Sequence, residues 1–449
     1  MNPYLCSTDE ERAEMLNVLG MKSEDELFLC IPEDLKKGVF PQLQTALGEF
    51  ELSRKLETLA RQNLSNDGAV CFMGGGAYEH FIPAVVPALA GRSEFVTSYT
   101  PYQPEASQGN LQVFFEFQTM TCRLFEMDVA NASMYDGATS LAEGVLMAAA
   151  AQKGRNRCLI SETLHPHWRE TLETYLKNLD LDIVVIKSIN GMTDAVALER
   201  ELDERAACVV AQNPNFLGCI EDMQSLSDKT HSAGAAFIVA ADPLSLGLLA
   251  APGEYGADVA AAEGQCLGLP PYFGGETLGI FTCKKDFMRK MPGRLVGLTK
   301  DLQGRRGFVL TLQTREQHIR RDKATSNICS NHALNATKAA IYMAALGPAG
   351  IREIGETCRA NIQYLQTQLA DSAISPLFPE AHHFKEIAVR FGGDVNGLID
   401  AMNRKGFLIG PSLEKYNSDW KGAFLLSATE VRTRDEMDRL VAALRECSR

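Results

Sequence analysis

Several stretches of this chain place reactive or ligand-holding residue types at spacings that chemistry needs. Asp136-Gly-Ala-Thr-Ser140 follows a β-rich run through Val129. If a strand ends there, Asp136 caps the next helix and Thr139 and Ser140 fall in its first turn. Such a start offers free N–H groups, hydroxyls and the positive end of the helix dipole, which suit a phosphate. Plain N-capping selects the same residues. Asp242 closes the apolar run Phe237-Ile-Val-Ala-Ala-Asp242, where a carboxylate either meets a ligand or shapes the turn ahead of Pro243. Gly74-Gly75-Gly76 also follows a β-rich run, but neither G-x-x-x-x-G-K-[ST] nor G-x-G-x-x-G is satisfied, so a structural turn is the better reading. His165-Pro-His167 lacks an evident third ligand and reads as a structural helix start, with no metal expected.

The elements that must position these residues can be read from periodicity. Residues 1–68 read as a helical arm, with Leu52, Leu56 and Leu59 at helical spacing. From 69 to 330, short β-rich runs alternate with helices: Val70–Met73, Phe95–Ser98, Asp128–Ala132, Cys158–Ser161, Ile183–Ile186, Cys208–Gln212, Phe237–Ala241, Val259–Ala262 and Leu278–Cys283. Phe114, Phe117, Met120, Leu124 and Met127 mark the buried face of one intervening helix. That alternation predicts a large α/β domain whose sheet is mostly parallel and covered on both faces. Ligands of such sheets sit at the carboxyl ends of the strands. Residues 331–449 read as a long helix, Asn335 to Leu369, followed by a small α+β domain.

Composition narrows the class. The 449 residues carry a formal charge of −13, against the basic surface that nucleic-acid binding needs. No run approaches the roughly 18 apolar residues that cross a bilayer. Twelve cysteines are scattered without a C-x-x-C pair, and the acidic opening lacks the look of a targeting segment, so a cytoplasmic protein is expected. Against the acidic background, residues 284–323 hold twelve Lys/Arg and four acids. This segment reads either as a docking surface for an anionic partner or as a solvated stretch with internal ion pairs.

Taken together, a phosphate-type helix start, a strand-end Asp and a small C-terminal α+β domain resemble a fold-type-I pyridoxal-phosphate enzyme. In those enzymes the Asp keeps the pyridine nitrogen protonated, and a lysine shortly after the Asp strand forms the imine. Here no lysine lies between Lys229 and Lys284, and Gln265 stands at the expected position. An amide cannot form an imine, so the chain should not run the reaction alone.

Three long strings carry a closer resemblance. Thr97-Ser-Tyr-Thr-Pro-Tyr-Gln-Pro-Glu-Ala-Ser-Gln-Gly109, Val129-Ala-Asn-Ala-Ser-Met-Tyr-Asp-Gly-Ala-Thr139 and His318-Ile-Arg-Arg-Asp-Lys-Ala-Thr-Ser-Asn-Ile-Cys329 resemble the P-protein of the glycine cleavage system. The resemblance runs from the Thr8–Phe28 opening to Ser427-Ala-Thr-Glu-Val-Arg-Thr433, and covers only the amino-terminal half of the fused form. It implies the alpha chain of the split enzyme. Pyridoxal phosphate would then be bound covalently by a paralogous second (beta) subunit, within an α2β2 assembly. The implied reaction decarboxylates glycine and passes the aminomethyl group to the lipoyl group of H-protein. Tyr99, Tyr102, Gln103, Gln108 and Tyr135 become candidate substrate-side residues, since phenols and amides line a narrow pocket without adding charge; packing between subunits is their other use. Asp136, Thr139 and Asp242 remain weaker candidates for cofactor contact. The basic 284–323 segment would suit an acidic lipoyl carrier. Two further readings stay open: a stand-alone pyridoxal-phosphate enzyme, which the empty lysine window opposes, and a non-catalytic binding module on a lysine-less fold.

Overall fold

The computed structural model describes residues 7–36, 43–63, 68–152, 154–272, 275–324, 327–328, 331–370 and 372–448. Residues 325, 326 and 329 of the third string, and residue 330 at the expected domain boundary, lie outside the described residues. The chain divides into two compact units, Met1–Leu64 and Ser65–Arg449. The first holds the helices Asp9–Val18, Glu33–Lys36 and Glu49–Ala60, none of which buries a residue. Leu52, Leu56 and Leu59 do share a helical face, and that face is exposed.

The second unit is built on a seven-stranded sheet. In spatial order its strands are Val129–Ala130, Gly279–Cys283, Val259–Glu263, Ala236–Ala241, Ala206–Asn213, Arg157–Ser161 and Asp182–Ile186. The last five run parallel; Gly279–Cys283 is antiparallel to both of its neighbours. All six residues of Ala236–Ala241 are buried, which is why this strand reads as a continuous apolar run. The helix Gln108–Phe125 turns Phe114, Phe117 and Phe125 inward, and Gly137–Ala151 starts where Asp136 accepts from the Thr139 N–H at 2.8 Å. Gly279 lets the antiparallel strand pass that helix start, because a Cβ there would meet the Ser140 hydroxyl and the Asp136 carbonyl at 2.5 and 2.6 Å.

Two expected strands of the large sheet fall elsewhere. Phe95–Ser98 is not a strand: Ser93–Val96 is a single helical turn, closed by the Thr97 N–H on the Ser93 carbonyl at 3.1 Å, and Val96 stays exposed. An apolar run this short is held by local bonds when no strand edge lies beside it. Val70–Cys71 pairs in parallel with Phe407–Leu408, because the adjoining Phe72 is buried among Ile387, Phe407 and Phe424 of the C-terminal core.

The helix Ala333–Leu369 is longer than expected and is broken at Gly347, whose φ of 62° precedes Pro348. Beyond it, Ile374–Pro376, Glu386–Phe391 and Ala423–Ser427 form an antiparallel sheet backed by the helices Val395–Arg404 and Arg434–Cys447. The basic segment contains a hairpin, Leu295–Lys300 with Arg306–Thr311, that the sequence pattern did not reveal.

Candidate active site: a filled pocket and an open one

The carboxyl ends of the central parallel strands bring together Asp242, Gln265 and Glu263, as sheet topology requires. Across from them stand Tyr78, Lys385 and Glu386, the last two at the start of the C-terminal strand Glu386–Phe391. The Lys385 ammonium is buried against the Asp242 carboxylate at 2.6 Å and lies 4.0 Å from the centre of the Tyr78 ring. Burial is the largest single influence and lowers the Lys385 pKa, but the charge and hydrogen bond of Asp242, together with Cys266 and Cys358, outweigh it and the lysine titrates above its ordinary range. Lys385 also reaches His80 Nε2 at 3.3 Å, and His80 Nδ1 bonds Glu430 at 2.7 Å. Burial, helped by Lys385, depresses the His80 pKa, so the ring is neutral, takes a hydrogen bond from the lysine and donates to Glu430. The ligand atoms of His80, Cys358 and Glu430 lie within 4.8 Å of one another, as in a metal site. They bond each other instead, next to a cation that would repel a metal.

The helix start at Asp136 is served from within as well. Glu263, at the end of its strand, accepts from Gly137 N–H at 3.0 Å, Leu278 N–H at 2.9 Å and Gln265 N–H at 3.0 Å. Burial pushes this carboxyl up to about 7 in spite of those donors. The Thr139 and Ser140 hydroxyls both turn back to the Asp136 carbonyl. Gln265 occupies the position of the missing lysine and is locked: its Nε2 donates to Leu269 O at 2.5 Å and its Oε1 accepts from Tyr78 N–H at 3.1 Å. The glycine run Gly74-Gly75-Gly76 does cradle an anion, an internal one. Gly75 N–H and the Tyr78 hydroxyl both donate to Glu386 at 2.6 Å, and a Cβ on Gly74 would overlap that carboxylate. Burial raises the Glu386 carboxyl to about 7.

What remains open between these groups is about 70 Å³, well under the roughly 300–1,000 Å³ of small-molecule sites. Pyridoxal phosphate does not fit here. The group that would face its ring nitrogen is paired with Lys385, a carboxylate sits on the helix start that would take its phosphate, and the imine-forming side chain is a hydrogen-bonded amide.

A second cavity, about 320 Å³, lies on the surface between the loop after Phe95 and the start of the helix Ala333–Leu369. Ser98, Tyr99, Thr100 and Asn110 line one side, His332 and Asn335 the other. Tyr99 is 82 % exposed, unusual for a ring of its size without a partner. Tyr135 meets the same wall through His332, edge to face at 6.0 Å.

Against known families, residues 2–444 match the model described as glycine cleavage system P-protein. The chain belongs to the glycine cleavage P-protein family. It is 48 % identical over 98 % of its length to a protein of Chlorobium phaeobacteroides named probable glycine dehydrogenase (decarboxylating) subunit 1, covering 99 % of that protein. A protein of the same name from Geobacillus kaustophilus is 46 % identical, with 99 % of both chains covered. Among solved structures, an inhibitor-bound glycine decarboxylase (P-protein) of the glycine cleavage system superimposes with a TM-score of 0.89 at 43 % identity, over 99 % of both chains. A Burkholderia pseudomallei sphingosine-1-phosphate lyase shares the fold at a TM-score of 0.66 and 15 % identity, over 93 % of this chain and 94 % of the lyase. The fold is that of the fold-type-I pyridoxal-phosphate enzymes, and the relatives' naming as subunit 1 implies a second subunit.

In this P-protein chain the sequence candidates separate into groups. Tyr99 lines the open pocket, and Tyr135 borders it. Tyr102 lies instead against Arg294, whose guanidinium donates to its hydroxyl at 2.9 Å, and against the His318 ring at 5.5 Å. Gln103 is exposed at the start of the turn Pro104–Ala106. Gln108 is brought to the hairpin: its amide donates to Phe308 O at 2.8 Å and accepts from Phe308 N–H at 2.9 Å. Asp136, Thr139, Asp242 and Gln265 gather around the filled pocket, with the internal partners described above.

Sequence reasoning missed Lys385, Glu263, Tyr78 and His332. A charged Lys385-Glu386 pair opening an otherwise apolar strand was the one available signal for the first, since buried charges need partners. In the basic segment, Lys284 pairs with Asp258, Arg305 with Asp301, and Arg294 is buried beside Glu316; Lys300, Arg306, Arg320, Arg321 and Lys323 stay on the surface. Among the described residues no helix is long and apolar enough to cross a membrane.

Proposed function

We propose that this chain is the cofactor-free subunit of a two-chain glycine-decarboxylating P-protein, and that its open pocket completes an active site whose pyridoxal phosphate is held by the other chain. The observation that carries this reading is the filled strand-end pocket. A fold built to hold the cofactor has its nitrogen partner, its helix start and its lysine position each engaged internally. On a lysine-bearing second subunit the cofactor supplies the electron sink for loss of the glycine carboxylate. This chain contributes walls. Tyr99 and Tyr135 enclose substrate with uncharged aromatic surface, and the Pro101-bounded loop holds Tyr99 out from the body. The aminomethyl group is then passed to the lipoyl group of H-protein.

The exposed cations at Lys300, Arg306, Arg320, Arg321 and Lys323 supply a face for an acidic carrier. If so, carrier affinity falls as salt rises; a KM for the carrier that ignores ionic strength rejects this docking face. The ten described cysteines are all free thiols, as a cytoplasmic enzyme would keep them.

Glycine–bicarbonate exchange tests the whole. The chain alone should be inactive and show no cofactor absorbance. Mixed with the lysine-bearing second subunit, pyridoxal phosphate and lipoylated carrier, it should exchange. Activity of the single chain, or none in the full mixture, overturns the proposal.

A further inference from the structure

The wall of the open pocket carries one group whose arrangement is not explained by folding. His332 precedes the helix Ala333–Leu369 as its N-cap residue, yet its side chain makes no capping hydrogen bond. Its Nδ1 lies 2.6 Å from the Thr277 carbonyl oxygen, which can only accept, so the ring proton sits on Nδ1. That same carbonyl accepts from Asn335 Nδ2 at 2.9 Å, and the Thr277 hydroxyl donates to the Tyr135 carbonyl at 3.0 Å. Tyr135 meets the imidazole edge to face. The Thr277 bond thereby sets the tautomer, and Thr277 and Tyr135 together hold the ring's orientation. Its Nε2, a bare lone pair in that tautomer, has no partner among the described residues, and the ring lines the 320 Å³ pocket opposite Tyr99. No Asp, Glu, Lys or Arg is among the described residues of that lining, which leaves His332 Nε2 its strongest hydrogen-bond acceptor.

We infer that His332 is a substrate-side binding group: its Nε2 accepts a hydrogen bond from an N–H or O–H of the molecule that fills the composite site. This deepens the proposed function and rests on it. The donor belongs either to the amino acid or to the carrier arm, and in both cases the chemistry His332 recognises is a neutral or cationic donor.

Two isosteres separate this role from a structural one. His332→Asn sets an amide nitrogen where Nδ1 stands, so it keeps the Thr277 bond and removes the Nε2 acceptor. His332→Gln sets an amide near Nε2 and gives up the Thr277 bond. Each full-length variant is assembled with the second subunit, pyridoxal phosphate and lipoylated carrier, and exchange is measured while glycine and carrier are varied in turn. His332→Asn is expected to lose about tenfold in kcat/KM with its melting temperature unchanged, and His332→Gln to stay within about threefold of the parent. Whichever KM rises identifies the owner of the donor. The reverse ranking, equal activity of all three proteins, or losses that follow a lowered melting temperature in both variants would overturn the inference. Tyr99→Ala, run alongside, separates the two levels. If it abolishes exchange while His332→Asn does not impair it, only the role of His332 falls; if neither has any effect, the composite site falls with it.

Discussion

The filled pocket and the open one differ in what their polar groups do. At the strand ends, Asp242, Glu263, Gln265 and Glu386 each bond to another group of the same chain, and about 70 Å³ is left. Beside the helix Ala333–Leu369, Tyr99 and His332 line about 320 Å³. There the Tyr99 ring is mostly exposed, and His332 Nε2 finds no partner among the described residues. The polar groups of the first place are engaged in folding contacts; under the proposal above, those of the second are left for binding. A buried ion pair such as Lys385–Asp242 adds little over an apolar pair, yet it is costly to break on one side only. That asymmetry makes the filled pocket a lock between the large sheet and the C-terminal strands.

The contrast breaks if substitutions in the two pockets behave alike. The largest expected effect is on stability: Lys385→Ala leaves the partly buried Asp242 carboxylate without its cation and should cost about 3 kcal/mol, read from urea melts of the full chain. A loss under 1 kcal/mol would mean the pocket is not a lock.

Next comes pH. Burial raises Glu143, Glu263 and Glu386 each to about 7, above the unfolded value near 4.5. These three carboxyls therefore hold more protons in the native state than in the unfolded chain between about 4.5 and 7, and their contribution to stability falls as pH rises through that window, against the opposite contribution of His165 and His383, which burial lowers to about 4. Glu143→Gln removes one such proton without changing shape and should raise stability at pH 8 by about 1–3 kcal/mol, with no gain at pH 4. Thermal melts at the two pH values decide this.

In the open pocket the order reverses. Tyr99→Ala should leave stability within about 0.5 kcal/mol, because the ring is exposed, while exchange by the assembled enzyme falls about tenfold or more. The smallest expected effect is none. Gln265→Lys restores the missing amine but not the space or the free Asp242, so titration with pyridoxal phosphate should give no imine absorbance. A band there would show that the lysine was the one element lacking.

Much of the sheet was legible because its central strands are buried on both faces. Cys208–Gln212, Phe237–Ala241 and Val259–Ala262 were recognisable as apolar runs and needed only a residue or two at their ends. Phe95–Ser98 failed because composition alone does not report whether a strand edge is near. The hairpin Leu295–Lys300 with Arg306–Thr311 was hidden by charges at its turn, and it is fastened by the amides of Gln108 and Gln118 from a helix far back in the chain.

Consecutive residues and local period carry the family strings, the mostly parallel α/β sheet, the strand-end Asp and the lysine-free window. What those residues face is set by packing across the fold. Lys385 reaches Asp242, Glu386 reaches the glycine run, and His332 reaches Thr277 through contacts between segments far apart in the chain. A charge needs a partner when it is buried, and which partner it finds is a matter of packing in three dimensions, which no local pattern encodes.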